Sequence, residues 1–175
     1  ALVAPQPEQG HFAQGLQLQW TGLRLSEAYV RMTIALLKQA GAAVQEDAEG
    51  ISVAPGALHA APFHVPPDWS AAAFWHQIAA TAPGAEVNLR GLKADGLQGD
   101  EAIQGLLASS VSSEATSAGI MLRGTTSTPT QPFTADLVRT PDLFQPLVFT
   151  MAALGRSATF TGLHNLPLKE TDRLK

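Results

Sequence analysis

Apolar and polar residues alternate along the first part of the chain in the pattern of short strands separated by a helix. From Gly15 to Trp20, leucine and tryptophan alternate with glutamine, which is the period-2 pattern of a half-buried strand. Ser26 then begins a predicted helix, in which apolar residues recur at helical spacing until Gly41, a residue type that favours helix ends. Short strands are predicted at 43–45 and 51–54, which gives this part a strand–helix–strand order.

A proline-rich stretch separates this part from the rest of the chain. Three prolines lie within residues 62–67, and proline restricts the residue before it to extended conformations. We therefore predict a crossing between two parts of the fold at 66–68.

The serine-rich run 109–113 is interpreted as a polar loop. The remaining periodic segments predict helices at 71–82, 99–107 and 141–154, and strands at 86–92, 120–123, 133–137 and 158–163.

The order of these elements predicts a mixed fold, α/β or α+β, built from repeated βαβ-type units. The helices at 26–41 and 141–155 both follow a strand, end at a glycine and precede another strand. They are therefore the best candidates for two copies of one unit. With 175 residues, the chain has the size of one globular domain or of a piece of a larger protein.

Composition and charge exclude several classes of function. The chain has 11 basic and 15 acidic residues and a net charge of −4, which argues against nucleic acid or an anionic membrane as the partner. It has no cysteine, which excludes disulfides and cysteine nucleophiles and fits a reducing cytosol, so we expect a cytoplasmic protein. No apolar run approaches the roughly 18 residues that a membrane span needs.

Both ends of the chain indicate a piece of a longer polypeptide. The first residues lack an initiator methionine and the basic segment of a signal peptide. The last residues stop without a helix-ending signal. We therefore expect a fragment.

The most specific pattern lies near the carboxyl end, between Asn165 and Leu174. Lys169 and Arg173 are four residues apart, so on a helix predicted from Lys169 onward they share one face. With the N–H groups of a helix start, they would form a site for a phosphate or a carboxylate. Glu170 lies beside them, where a bound anion would raise its pKa and make it a proton donor. The alternative from spacing alone is an ordinary solvated helix start.

Two further positions carry candidate chemistry at predicted helix starts. Asp142 begins the helix at 141–154, where an aspartate is either a cap or an active carboxylate. Ser26 is a good N-cap, and Tyr29, the only tyrosine, lies one turn later, so both hydroxyls could reach one ligand.

His76 and His164 are isolated and are expected to be structural, and no spacing indicates a metal site.

Several short motifs together resemble those of the enolpyruvyl transferases, and among them the EPSP synthase family. The last motif is highly specific, whereas the others carry weight through their co-occurrence across nearly all of the chain. They follow the family's order and spacing: Ser26, Tyr29, Val30, Met32 and Thr33; Asp68, Ser70, Ala71 and Ala72; Leu97, Gln98, Gly99 and Asp100; Pro141, Asp142 and Leu143; and Asn165, Lys169, Glu170, Thr171, Asp172, Arg173 and Leu174.

The resemblance implies a fold of two similar lobes, each of three similar α/β units, with the active site in the cleft between them. It implies transfer of the enolpyruvyl group of phosphoenolpyruvate to the 5-hydroxyl of shikimate 3-phosphate, with release of phosphate and with no metal or organic cofactor. Residues 1–65 would belong to one lobe, 66–68 to the crossing and 69–175 to the other lobe. The complete protein would be a monomer whose partners are these two small-molecule substrates.

By position in the motifs, the resemblance assigns substrate-binding roles to five residues. Ser26 would bind the 3-phosphate, and Tyr29 would support the same substrate. Asn165 would hold the hydroxyl or phosphate end of that substrate. Lys169 would contact phosphoenolpyruvate and the reacting hydroxyl, and Arg173 would clamp the carboxylate or phosphate of phosphoenolpyruvate.

The resemblance also assigns catalytic roles to Asp142, Lys169 and Glu170. Asp142 would face the 5-hydroxyl and take or share its proton. Glu170 is the candidate proton donor to the methylene group of phosphoenolpyruvate. Such a set suits the reaction, because addition to an enol ether needs an acid at one carbon and a base at the attacking oxygen.

Parts of the family pattern have no match in this chain. These are its N-terminal Lys-Ser segment, its Ser-Ser-Gln phosphate motif, its Asp-His-Arg motif and its last catalytic lysine. Since the chain covers under half of the family's length, we expect the fragment alone to be inactive. Two alternatives stay open: the peptidoglycan enolpyruvyl transferase, which acts on UDP-N-acetylglucosamine, and a non-catalytic anion-binding module. The Lys-Glu-Thr-Asp-Arg motif and the lack of cysteine favour the EPSP synthase family over the first alternative.

Overall fold

The chain forms two compact units, Ala1–Val65 and Pro66–Lys175, each with its own hydrophobic cluster. The predicted assignment of these parts to two lobes, with a crossing at 66–68, stays a prediction. Residues 62 and 63 of the predicted proline-rich segment lie outside the described residues. The computed structural model describes residues 11–12, 14–22, 24, 26–59, 64–126 and 129–174.

Among its described residues, the first unit has one helix, a three-stranded sheet and a two-stranded pair. A three-stranded sheet has the order β2-β4-β3, and β4 runs antiparallel to both neighbours, so β2 and β3 are parallel and α1 connects them. β1 and β5 form a separate antiparallel pair. The elements are β1 His11–Phe12, β2 Leu16–Gln19, α1 Glu27–Gln39, β3 Val44–Glu46, β4 Gly50–Val53 and β5 Gly56–Ala57.

Helix α1 ends as its sequence predicts but begins differently. Gly41 has a φ of 89°, and the N–H groups of Gly41 and Ala42 donate to the carbonyls of Lys38 and Leu37, which is a Schellman ending. Ser26 occupies the N-cap position, but its φ of 56° is left-handed and its side chain makes no capping hydrogen bond. The expectation that the Ser26 hydroxyl caps α1 is therefore wrong, because this backbone conformation differs from the extended one that a capping serine adopts.

The described part of the second unit contains two sheets and two longer helices. The strands of its larger sheet have the order β6-β8-β7, and β9 pairs with β10 in parallel. Its helices and strands are α2 Trp69–Thr81, β6 Glu86–Arg90, α3 Ile103–Leu106, β7 Val111–Thr116, β8 Gly119–Gly124, β9 Phe133–Asp136, α4 Phe144–Ala153 and β10 Ala158–Thr161. Three 3-10 turns lie at Gly99–Ala102, Pro141–Leu143 and Leu166–Leu168.

Repeated βαβ-type units are present in both parts, as predicted. In the β6-β8-β7 sheet, β8 is antiparallel to both neighbours and a helical connection joins the two parallel outer strands. This is the topology of the β2-β4-β3 sheet. The copy that matches the first unit in strand order is therefore the sheet built from β6, β7 and β8. The expectation that the helix at 141–155 belongs to this copy is wrong, because its two flanking strands pair directly in parallel. The β9–α4–β10 segment is a simpler βαβ unit whose two strands are direct neighbours.

Strand β7 was not predicted. The run 109–113, interpreted as a polar loop, enters this strand at Val111, whose side chain is buried. The serines carry little strand signal, but β8 offers them an unpaired edge, and the ladder from Val111 to Thr116 satisfies backbone groups on both strands.

Helices α2 and α4 contribute to the core of the second unit. Asp68 caps α2 by accepting hydrogen bonds from the N–H groups of Ser70 and Ala71 at 3.0 Å each. His76 is fully buried, with Nδ1 2.9 Å from the Ala72 carbonyl and Nε2 3.2 Å from the Ser113 hydroxyl. Its predicted structural role is confirmed. Among the described residues, no helix is long and apolar enough to cross a membrane.

Candidate active site

Asp142 is held by a tight 3-10 turn that leads into α4. Proline at 141 suits the start of such a turn, because its fixed φ is helical and its missing N–H would have no partner there. Pro141 and Leu143, on either side, are buried. The Asp142 side chain is 17% exposed, so it is partly shielded from water while its neighbours anchor it.

Two cations converge on the Asp142 carboxylate. Arg173 donates from Nη1 to Oδ1 at 2.7 Å, and Lys169 Nζ lies 3.2 Å from Oδ1 and 3.4 Å from Oδ2. Nη2 of Arg173 donates to Glu170 Oε2 at 2.9 Å. The Lys169 and Arg173 side chains are 24% and 19% exposed. Four of the predicted site residues therefore form one cluster, in which one carboxylate is shared by two cations.

The helix predicted from Lys169 onward is absent, and that prediction is wrong for residues 169–174. After the turn at Leu166–Leu168, Lys169 has a φ of −76° and a ψ of −170°, which is extended backbone. The N–H of Arg173 donates to the Leu166 carbonyl at 3.3 Å, so the segment folds back as a loop. The extended backbone of Lys169 interrupts the consecutive helical residues that a helix nucleus needs. Lys169 and Arg173 meet at a shared carboxylate and not on one helix face.

The pKa values in the cluster follow from these contacts. Burial acts to lower the pKa of Arg173, but hydrogen bonds to Glu170 and Asp142 and the charges of both outweigh it and raise the pKa. The pKa of Glu170 is lowered by a hydrogen bond to its own backbone N–H, then by the hydrogen bond and charge of Arg173. This direction is opposite to the one that a proton donor needs. The predicted rise depends on a bound anion and stays a prediction.

A hydrogen-bonded network joins residues of two motifs to which the sequence gives no role. Ser70 donates its hydroxyl to Asp100 Oδ2 at 2.5 Å, and the Gln98 amide donates to Asp68 Oδ1 at 2.5 Å. The Gln98 side-chain oxygen accepts the N–H of Trp69 at 2.6 Å. These contacts tie the start of α2 to the 3-10 turn at Gly99–Ala102. The motifs containing Asp68, Ser70, Gln98 and Asp100 were visible in the sequence, but nothing local showed that they meet.

Burial raises the pKa of the Asp100 carboxyl. The Ser70 hydrogen bond acts against this rise, the charges of Asp142 and Asp68 add to it, and the charge of Lys169 opposes it. Asp100 therefore interacts electrostatically with the cluster described above.

The remaining predicted site residues lie in other parts of the chain. Asn165 comes directly before the turn at Leu166–Leu168 and so leads into the Lys169 loop. Ser26 and Tyr29 lie at the start of α1 in the first unit, where the Tyr29 N–H donates to the Ser26 carbonyl at 3.0 Å. Among the described residues, no group of three or more His, Asp or Glu side chains could hold a metal ion.

The family model of EPSP synthase (3-phosphoshikimate 1-carboxyvinyltransferase) matches residues 9–175. The chain belongs to the EPSP synthase family. The resemblance inferred from the motifs is thus confirmed.

Curated EPSP synthases from bacteria and archaea are similar to this chain. The enzyme named 3-phosphoshikimate 1-carboxyvinyltransferase in Bacteroides fragilis is 40% identical over 163 residues, which is 92% of this chain. A protein of the same name in Methanocorpusculum labreanum is 32% identical over 156 residues. The chain spans only 40% and 35% of the lengths of these two relatives.

Solved EPSP synthases share the fold. A structure of EPSP synthase from Acinetobacter baumannii superposes with a TM-score of 0.67 at 23% identity, covering 94% of this chain and 38% of that one. The predicted fold class, mixed helices and sheets of the enolpyruvyl-transferase type covered in part, is confirmed. The catalytic and binding roles that the family motifs assign to individual residues stay predictions.

Proposed function

We propose that the complete protein containing this chain transfers the enolpyruvyl group of phosphoenolpyruvate to the 5-hydroxyl of shikimate 3-phosphate and releases phosphate. Membership of the EPSP synthase family supports this activity. The observation that carries the proposal is the convergence of Lys169 and Arg173 on Asp142, because it unites an anion-binding pair with a carboxylate. Segments outside this chain would complete the site, so the chain alone has no turnover.

The cluster suits the chemistry of two polyanionic substrates. Arg173 presents two nitrogen donors, which now bind Asp142 and Glu170 and which match the geometry of a substrate carboxylate or phosphate. Lys169 supplies a compact positive charge next to them. A substrate anion that takes over these donors would release the Asp142 carboxylate from its ion pairs.

The released carboxylate then acts as a base. Asp142 takes the proton of the 5-hydroxyl while the hydroxyl oxygen bonds to the phosphate-bearing carbon of phosphoenolpyruvate, and the methylene carbon accepts a proton, for which Glu170 is the candidate donor. In the second step the carbon–oxygen bond to phosphate breaks, phosphate leaves with the electron pair of that bond, and the methyl group returns a proton to the Glu170 carboxylate, which restores the double bond. Lys169 and Arg173 hold the anionic groups in place through both steps.

Phosphate release by the complete polypeptide tests this function. We expect turnover only when both substrates are present, and we expect none from residues 1–175. Arg173→Gln should lower kcat about 10²–10³-fold, the range typical of lost charge-stabilising donors. Arg123→Gln is the matched control, since Arg123 also pairs with two carboxylates, Glu86 and Glu114, on an exposed sheet face.

The outcomes separate the alternatives. Turnover with UDP-N-acetylglucosamine in place of shikimate 3-phosphate would assign the protein to the peptidoglycan reaction. A complete polypeptide that leaves both EPSP synthase substrates unchanged, with Lys169 and Arg173 verified, would refute the proposal. A phosphorus NMR titration with shikimate 3-phosphate tests whether residues 1–175 bind this substrate, because a chain without a binding site gives no saturable shift. In the phosphate-release assay, turnover by residues 1–175 at the rate of the complete polypeptide would refute the expected inactivity of the chain alone.

A further inference from the structure

Asp100 is the only buried acidic side chain among the residues that the structure describes, with 2% of its surface exposed. A buried carboxyl is costly unless it is hydrogen-bonded, and Ser70 supplies the bond at 2.5 Å. Asp100 follows Gly99 at the start of a 3-10 turn, and Ser70 lies in the first turn of α2. The contact therefore fixes the carboxyl against a helix of the core.

Helix α2 contacts both the 3-10 turn that carries Asp100 and the 3-10 turn that carries Asp142. The charged groups that act on Asp100 therefore belong to the proposed site and its border. Asp142 and Lys169 belong to the site cluster, and Asp68 caps α2. Two carboxylates repel each other by the same amount, whichever of them is considered. The charge of Asp142 makes ionisation of Asp100 less favourable, and an ionised Asp100 in turn makes proton uptake by Asp142 more favourable. An ionised Asp100 also attracts the Lys169 ammonium group, including after a substrate anion has displaced Asp142 from it.

We propose that Asp100 is a positioning residue for the proton acceptor Asp142: held by Ser70 at the start of α2, its buried carboxylate supplies a negative charge that acts on both Asp142 and Lys169. This charge promotes proton uptake by Asp142 and keeps the Lys169 ammonium in place while the proton is transferred. The inference rests on the enolpyruvyl transfer proposed above. It assigns a function to the acid of the Leu97–Asp100 motif, which the reaction as described does not use.

Asp100→Asn in the complete polypeptide tests the inference, because the amide retains an acceptor for Ser70 and loses only the charge. We expect kcat to fall about 10- to 100-fold, because proton uptake by Asp142 loses the charge that favours it, with little change in KM. The acid limb of the pH–kcat profile should shift to lower pH, because the proton acceptor no longer lies near a second negative charge. Glu101→Gln removes a charge from the same turn and should leave kcat and the pH profile unchanged.

Ser70→Ala provides a second test that does not require the asparagine variant to fold. It removes the donor that stabilises the Asp100 charge, so the acid limb should move in the same direction by a smaller amount. If Ser70 and Asp100 have a purely structural role, the variants should be less stable while the acid limb of the pH–kcat profile does not move. That result, or an unchanged kcat in Asp100→Asn, overturns the inference and leaves the proposed function standing. Absence of turnover in the unsubstituted polypeptide overturns both.

Discussion

Replacing Asp142 by asparagine removes the charge that unites the site cluster. Lys169 Nζ lies 3.2 Å and Arg173 Nη1 2.7 Å from the same carboxyl oxygen, and the three side chains are 17–24% exposed. Exposed ion pairs contribute up to about 1 kcal/mol, and removal of one partner from a buried pair costs about 3–5 kcal/mol. These groups are intermediate in burial, and asparagine still accepts one hydrogen bond. We therefore expect the free energy of unfolding to fall by about 2 kcal/mol.

Urea unfolding of the 175-residue chain measures this loss, with Asp95→Asn as the control. Asp95 is exposed and accepts a backbone hydrogen bond from Leu97, which asparagine retains, so its substitution should change stability by less than about 0.5 kcal/mol. A double-mutant cycle with Arg173→Gln isolates the pairwise part. If Asp142→Asn and Asp95→Asn unfolded at the same urea concentration, the reasoning from the cluster geometry would be refuted.

Two further predictions concern stability. Burial lowers the pKa of His76, whereas its hydrogen bond to Ala72 acts to raise it, so the unfolded chain binds the His76 proton more readily. The stability that neutral His76 contributes is complete above its ordinary pKa of 6.5 and is lost as the pH falls below that value. The denaturant midpoint of unfolding should therefore fall as the pH is lowered from about 8 to about 5. This fall should be smaller in His76→Gln than in the control variant His64→Gln. Gly124→Ala should cost about 1–3 kcal/mol by denaturant unfolding, because the added methyl group would overlap the Ala79 and Ala82 carbonyls, whereas Gly105→Ala meets open space and should be neutral or stabilising.

Much of the fold was predictable from local patterns. Helix α1 follows from its apolar spacing and from Gly41, whose positive φ ends it, and α2 corresponds to the periodic segment predicted as a helix at 71–82. Strand β7 was not predictable, because its serines become a strand only by pairing with β8. The Ser26 cap failed for a related reason, since a suitable residue type at a helix start does not by itself specify the φ of that residue.

The candidate site, like the fold, was predictable from the sequence only in part. The residue types of the Asn165–Leu174 motif, and their order along the chain, sufficed to indicate an anion site and the family. They did not show how the cations are arranged, since Lys169 and Arg173 bind a carboxylate 27 and 31 residues away and the predicted helix between them is absent. Asp100 was likewise one member of a weak motif until the structure placed it against Ser70, 30 residues earlier.

The physical reason is the range over which each interaction acts. Helical periodicity, caps and glycine-dependent helix ends depend on residues within about one turn of each other, so the order of amino acids already contains them. Which carboxylate neutralises which cation, and which acid is removed from water, depends on the closure of loops that bring distant residues together. That Asp142 holds both cations and Asp100 is buried beside α2 therefore follows from the packing of the second unit.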